Sequence, residues 1–308
     1  MKFSSMTLAR ILAAAMLAIF AAGSADAHQQ LPLGDGQVSQ QPKQNYVYAC
    51  RSQFRAGGAR HQGDWFHGKS WDPSEKPHVR GKIVWPNAEF SVSEKGPQIE
   101  LRGNGLPTNQ VTGIFPIAAD DPAYAFDTNP NAIEAKTLSF SIPLKPMPAT
   151  EPQCLPMGMI GITLTGVALY SALDDAGRDA AAHEIQDICD GHPQGAGQYH
   201  YHSASPCLPG ADKNQLVGWA LDGYPILGMR DAQGKRLNDA DLDACHGRAE
   251  NVAVDGRQYK YAYRLTREYP YTLGCFHGKI EKATFDAIHR ALGPPRRGKP
   301  DGHRRRAP

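Results

Sequence analysis

Long apolar runs are scarce in this chain. After the first 27 residues, no stretch is apolar enough over a sufficient length to make a transmembrane helix. Strong net charge is absent too, at +2 over 308 residues. The first 27 residues hold +1 (Lys2, Arg10, Asp26). The tail from Gly293 holds +5, leaving about −4 for the body from His28 to Leu292. A body of that sign is not a nucleic-acid binder by bulk charge. Several catalytic signatures are missing as well. There is no H-E-x-x-H for a zincin protease, no G-x-S-x-G elbow, no phosphate loop and no dinucleotide fingerprint. No nucleotide or organic cofactor therefore has a signal, and no repeat at a fixed period is evident.

The first 27 residues read as a signal peptide. Lys2 and Arg10 open it, Ile11 to Ala22 is a short apolar run, and Ala25-Asp26-Ala27 is a small-x-small cleavage site. No cysteine follows the cut, which disfavours a lipid anchor. Cleavage would leave His28 at the N-terminus, where amine and ring can bind copper together, but the Gln-rich segment behind it argues against a fixed site. The expected location is periplasmic or secreted. Residues 28–45, rich in Gln, Gly and Pro, read as a flexible lead. Residues 293–308 read as a basic, disordered tail.

Six cysteines in an exported chain imply three disulfides. Six allow fifteen pairings. Proximity favours Cys189 with Cys207, Cys245 with Cys275 and Cys50 with Cys154. Thiolate ligation of zinc is then disfavoured.

Short β-type runs recur at Tyr46–Cys50, Lys82–Trp85, Phe90–Val92, Gln98–Leu101 and Leu138–Ile142. Ile160 to Tyr170 reads as a strand pair or one bent strand. Helical signals are few. Asp179–Ile188 would turn Ala181, Ala182, Ile185 and Ile188 to one side. Asn238–Ala244 is a short capped turn, and Lys279–Leu292 is the best helix. The expected fold is mainly β, α+β at most: a disulfide-stapled β-sandwich or β-roll-like domain over residues 46–292, with a few short helices.

Tyr199-His200-Tyr201-His202 alternates with the period of a strand, so both imidazoles share one face and both phenols the other. Cys189-Asp190-Gly191-His192-Pro193 precedes it. If residues 190–202 form a hairpin turning at 193–198, one register sets His192 opposite His200 and Asp190 opposite His202. Facing side chains then stand roughly 5 Å apart. Nitrogen and oxygen ligands of this kind suit one transition metal ion, zinc or copper among them. A one-residue slip would send His192 to the other face.

The candidate ligands are His192, His200, His202 and Asp190, with Asp222 of the Asp222-Gly223 turn as a ligand, a supporting partner or an ordinary turn carboxylate. Tyr199 and Tyr201 are further site candidates. Arg264 could hold an anionic group if it lies near the site. His183-Glu184 reads as a surface pair, and His277 as structural.

These motifs resemble the YHYH-domain family of exported proteins. The likeness runs from Cys189–Pro193 through Gly197–His202 and Cys207-Leu208. It continues at Gly218–Ile226, Leu242–Arg248 and Tyr269–Phe276, a region of about 155–278. Stretches near Asn104–Pro116 and Asp121–Asn131 resemble a long subgroup. The resemblance implies an exported, cysteine-containing domain with the histidine cluster as its signature, and it supplies no reaction. Relatives often carry further histidines before the Tyr-Pro-Tyr stretch, where this chain reads Tyr259-Lys260-Tyr261-Ala262-Tyr263-Arg264-Leu265-Thr266. Asn is common in them where His246 stands.

Three readings stand open: an exported metal-binding protein, with a metal-assisted hydrolase as its enzyme version; a non-enzymatic module for a small-molecule or envelope ligand; and a structural Tyr/His strand. Oligomeric state has no signature in the sequence.

Overall fold

Leu138-Ser139-Phe140-Ser141-Ile142 alternates apolar and polar side chains, and it forms the strand Leu138–Pro143 with Leu138, Phe140 and Ile142 buried. The same logic holds for Phe90–Lys95 and Gln98–Gly103, which join it in a three-stranded antiparallel sheet. The computed structural model describes residues 30–292 except 56 and 60. The expected signal peptide and the basic tail lie outside the described residues. Among the described residues the fold is mainly β, with two short helices, several sheets and three disulfides. The disulfides are Cys50–Cys154, Cys189–Cys207 and Cys245–Cys275, and no described cysteine is free. The first closes a span of 104 residues, a loop length at which a cross-link removes about 4.7 kcal/mol of denatured-state entropy.

Residues 30–45, read as a flexible lead, are built into the fold. Leu31–Pro32 pairs with Ser70–Trp71, and Val38–Ser39 runs parallel to Val47–Tyr48. Gly34 N–H donates to the buried Asp179 carboxylate at 3.0 Å. Composition missed this because Asp179, the anchoring partner, lies more than a hundred residues away.

An eight-stranded sheet carries the candidate residues. Its strands in chain order are β1 (Met159–Thr163), β2 (Ala168–Tyr170), β3 (Gly191–Pro193) and β4 (Tyr199–Tyr201), then β5 (Leu216–Ala220), β6 (Pro225–Leu227), β7 (Gly247–Val254) and β8 (Arg257–Arg264). Their spatial order is β3-β4-β2-β1-β5-β6-β8-β7. That order reads the same from either end once β1 is matched to β5, β2 to β6, β3 to β7 and β4 to β8.

The match extends to individual atoms. At the centre, Gly161 pairs with Ala220, Ile162 with Trp219 and Thr163 with Gly218, so each residue faces a member of its own counterpart set. Leu164 N–H donates to Val217 O, and Leu221 N–H donates to Ile160 O. Asp174 Oδ1 accepts from the N–H groups of Ala176 and Arg178, as Asp231 Oδ1 accepts from those of Gln233 and Lys235. Farther out, Asp187 Oδ1 accepts from Cys189 N–H, Gly191 N–H and the Tyr199 hydroxyl. Asp243 Oδ1 accepts from Cys245 N–H, Gly247 N–H and the Tyr261 hydroxyl. The sheet is one β-hairpin-plus-hairpin unit built twice about a local two-fold axis.

No fixed period betrays this, because the spacing drifts. Gly161 and Gly218 differ by 57, Gly191 and Gly247 by 56, and Tyr199 and Tyr261 by 62. The second outer hairpin is longer, with eight residues in each strand.

Helical structure is sparse. The segment read as a helix from Asp179 to Ile188 makes one turn only, α1 (Ala180–His183), with Asp179 as its cap. The chain leaves it at Glu184 in extended conformation, and Ile188 ends 49% exposed rather than on a buried face. The C-terminal helix α2 spans Lys282–Leu292.

Candidate metal centre

His192 on β3 stands directly opposite His200 on β4. The period-two alternation puts His200 and His202 on one face and Tyr199 and Tyr201 on the other. All three imidazoles are buried. Their ring centroids lie 4.5 Å apart for His192–His200, 5.4 Å for His192–His202 and 4.8 Å for His200–His202. One nitrogen from each lies within 4.8 Å of the others, a spacing at which a single ion could be held.

Backbone carbonyls orient two of these rings. His200 Nδ1 lies 3.1 Å from Gln198 O, and His202 Nδ1 lies 2.6 Å from Ser171 O. A carbonyl only accepts, so each Nδ1 carries the proton and donates. In a neutral ring, Nε2 then presents a lone pair. The two Nε2 atoms sit 3.0 Å apart, which sets lone pair against lone pair. Among the described residues, His192 has no hydrogen-bond partner on either ring nitrogen, and neither does the buried Glu184 Oε2. Glu184 Oε2 nonetheless lies 3.3 Å from both His192 Nε2 and His202 Nε2. Four buried polar atoms thus crowd together, Glu184 Oε2 beside two of the three converging rings, without bonding one another well. A cation among them would satisfy all four.

Electrostatics agree with neutral rings. Burial, reinforced by the neighbouring imidazoles, holds His192 and His200 well below the ordinary histidine range. Burial lowers His202 to about 4. Burial pushes Glu184 well up, with Asp174, Asp127 and Asp175 adding to the rise and Lys76 opposing it. The Tyr170 ring stacks on His200 at 3.9 Å and shields that side.

The other sequence candidates fall elsewhere. Asp190, like Glu184, is outside the three residues whose ligand atoms converge within 4.8 Å, and unlike Glu184 it makes no ion pair with the rings among the described residues. It adopts a left-handed backbone (φ 57°), which ends the regular strand before Asp190 can face His202. Asp222 is occupied, accepting from the Tyr263 hydroxyl at 2.5 Å and from the N–H groups of Gly278 and Tyr224. Tyr199 donates to Asp187, and Tyr201 to Gln110. Arg264 is buried on β8, bound to Glu250, Asn214, Gly228 O and Arg230 O. Five strand spacings separate β8 from β4, roughly 24 Å across the ladder, so Arg264 does not serve the imidazoles. His183-Glu184, read as a surface pair, is drawn inward. His183 bonds Asp35 at 2.9 Å, and Glu184 joins the rings. The signal that could have found Glu184 is Asp179, a cap that starts a helix too short to carry the next acid away.

The doubled sheet supplies an internal comparison. His192, His200 and His202 correspond to Arg248, Ala262 and Arg264, while the Asp, Cys, Gly and two Tyr around them recur. Even the contact of His202 with Ser171 O has its analogue in Arg264 donating to Gly228 O. The hairpin therefore folds without imidazoles, and architecture alone does not call for them.

At the turn, Asp190 corresponds to His246, also left-handed (φ 66°). His246 is buried with Nε2 2.9 Å from Thr266 Oγ1, and burial lowers it to about 3. An unfolded chain protonates this ring below about pH 6.5, while the folded chain resists. Stability conferred by the neutral ring is therefore present above that pH and lost as pH falls toward 3. His246→Asn, which tolerates the left-handed backbone, should flatten the acid limb of unfolding. Urea midpoints at pH 7 and pH 4 should show on the order of 2 kcal/mol less acid loss than in the parent. Equal losses would reject the assignment.

A mainly β, disulfide-bonded protein with a doubled hairpin unit and a buried three-histidine cluster is the class these features define. The family model described as YHYH protein matches residues 139–238, so the chain carries a YHYH domain. The match takes in all three histidines and stops before β7. No curated protein and no solved structure matches the chain.

Proposed function

We propose that this protein is exported, periplasmic or secreted, and binds one transition metal ion, zinc or copper, through His192, His200 and His202 with Glu184. The observation that carries the reading is the facing pair of Nε2 lone pairs, joined by a histidine and a carboxylate oxygen that have no hydrogen-bond partner among the described residues. The second hairpin, built alike without imidazoles, speaks against a purely structural role for them. Three imidazoles and a carboxylate fill a tetrahedral zinc site. That favours retention of the ion over a hydrolase, which keeps a position open for water. The export part of the reading rests on the three disulfides, which persist in oxidising compartments. Among the described residues, no helix is long and apolar enough to cross a membrane.

Elemental analysis of protein purified from a periplasmic extract without a histidine tag tests the metal reading. About one equivalent of zinc or copper per chain is expected, and the His200→Ala/His202→Ala double variant should carry almost none. A metal-free parent, with the double variant folded and indistinguishable from it, would refute the proposal.

A further inference from the structure

We propose that the cavity between the two copies of the repeated unit binds a small organic ammonium ion through Asp190. This inference does not depend on the metal reading. The cavity has a volume of about 560 Å³. Trp71 and Tyr271 from outside the repeats, Ala204 and Asp190 from the first copy, and Met229 and Thr266 from the second are among its lining residues. Trp71, Met229 and Tyr271 are buried and give the cavity an apolar wall, as pockets for organic ligands have. Asp190 is charged and half-buried. The other charged lining residues, Asp212, Lys213, Arg236 and Arg267, are exposed or half-buried, and Arg236 is bound to Asp212 at 2.6 Å.

The Asp190 carboxylate makes no hydrogen bond and no ion pair among the described residues. Lys76 attracts it through space only; the Lys76 ammonium donates instead to Ala181 O and Gln186 Oε1. Asp179, Glu184 and Asp127 also act on that single lysine, so it does not neutralise the region. The Asp190 oxygens are not among the buried unpartnered atoms of the described residues, so they stay open to a donor that enters the cavity.

The second copy shows that the fold does not require this. His246 occupies the equivalent left-handed position and is satisfied by Thr266 Oγ1 at 2.9 Å. The residue matching Thr266 in the first copy is Ala204, which has no hydroxyl. Asp190, Ala204 and Thr266 all face the cavity. The first copy has thus placed an acceptor there and removed its internal partner. An ammonium donates to Asp190 while its apolar body lies against Trp71, Tyr271 and Met229, where an aromatic wall also attracts a cation.

Titration calorimetry with 2-phenylethylammonium at pH 8, using 2-phenylethanol as the uncharged control, tests this on the full chain. The ammonium should bind at least tenfold more tightly than the alcohol, and Asp190→Asn should abolish that preference. Asn suits the left-handed backbone, so the variant keeps the fold; unchanged far-ultraviolet circular dichroism checks it. Failure to bind the ammonium, equal binding of the two probes, or an unaltered preference in Asp190→Asn would each overturn the proposal.

Discussion

Metal-stripped protein is expected to melt on the order of 10 °C higher when zinc is added to a thousandfold excess over its dissociation constant. Ligand that binds only the folded chain stabilises it by about 4 kcal/mol at that excess, and a chain of this size gains roughly 2–4 °C per kcal/mol. The source of the gain is local. Two Nε2 lone pairs held 3.0 Å apart repel in the metal-stripped protein, and the buried His192 ring and Glu184 Oε2 have no hydrogen-bond partners among the described residues. Zinc converts those costs into bonds. His202→Ala removes a ring whose Nδ1 is anchored on Ser171 O, and should reduce the shift to under about 1 kcal/mol. Arg248→Ala, at the second-copy position of His192, should retain the full shift. Differential scanning fluorimetry with and without a chelator gives all three numbers. The metal assignment fails if the parent does not shift, or if His202→Ala shifts as much as the parent does.

Asp187→Ala should be the most damaging single substitution in the first hairpin, at about 3–5 kcal/mol. Asp187 accepts from Gly113, Cys189 and Gly191 N–H groups and from the Tyr199 hydroxyl. Alanine leaves four buried donors unpaired. Some of that loss is returned, because burial already pushes the Asp187 carboxyl up from its ordinary range. The matching Asp243→Ala orphans Cys245, Gly247 and Tyr261, one donor fewer, and should cost less. Urea midpoints at constant slope measure both. If the order is reversed, Asp187 is not the node that holds the histidine hairpin.

Much of the molecule was legible in its residues. Proximity along the chain picked, from fifteen possible pairings, the three bridges that form, and the period-two run at 199–202 could place its rings only on one face. A hairpin over 190–202 allowed His192 to face His200 in one register, and the ladder adopts that register. Glu184 was not legible. Its approach depends on α1 stopping after one turn, and that stop is set by tertiary contacts of Asp179 with Gly34 and Tyr271. Asp190 misled because a positive φ breaks the alternation that would have aimed it at His202. Arg264 misled because sequence order says nothing of how many strands lie between β4 and β8. The duplication stayed hidden because its invariants are single residues, Asp, Cys, Gly and Tyr, separated by insertions.

The alternation along β4 and β8 divides labour by parity. Tyr199 and Tyr201, like Tyr261 and Tyr263, point to the side that builds the framework. The intervening positions, His200 and His202 in one copy and Ala262 and Arg264 in the other, are free to differ. The protein therefore behaves as a pair of like sockets with different fittings. One socket converges nitrogen lone pairs, the other closes on an internal guanidinium and Glu250. Chemistry can be exchanged between them without disturbing the frame, since the residues that carry one are never those that carry the other.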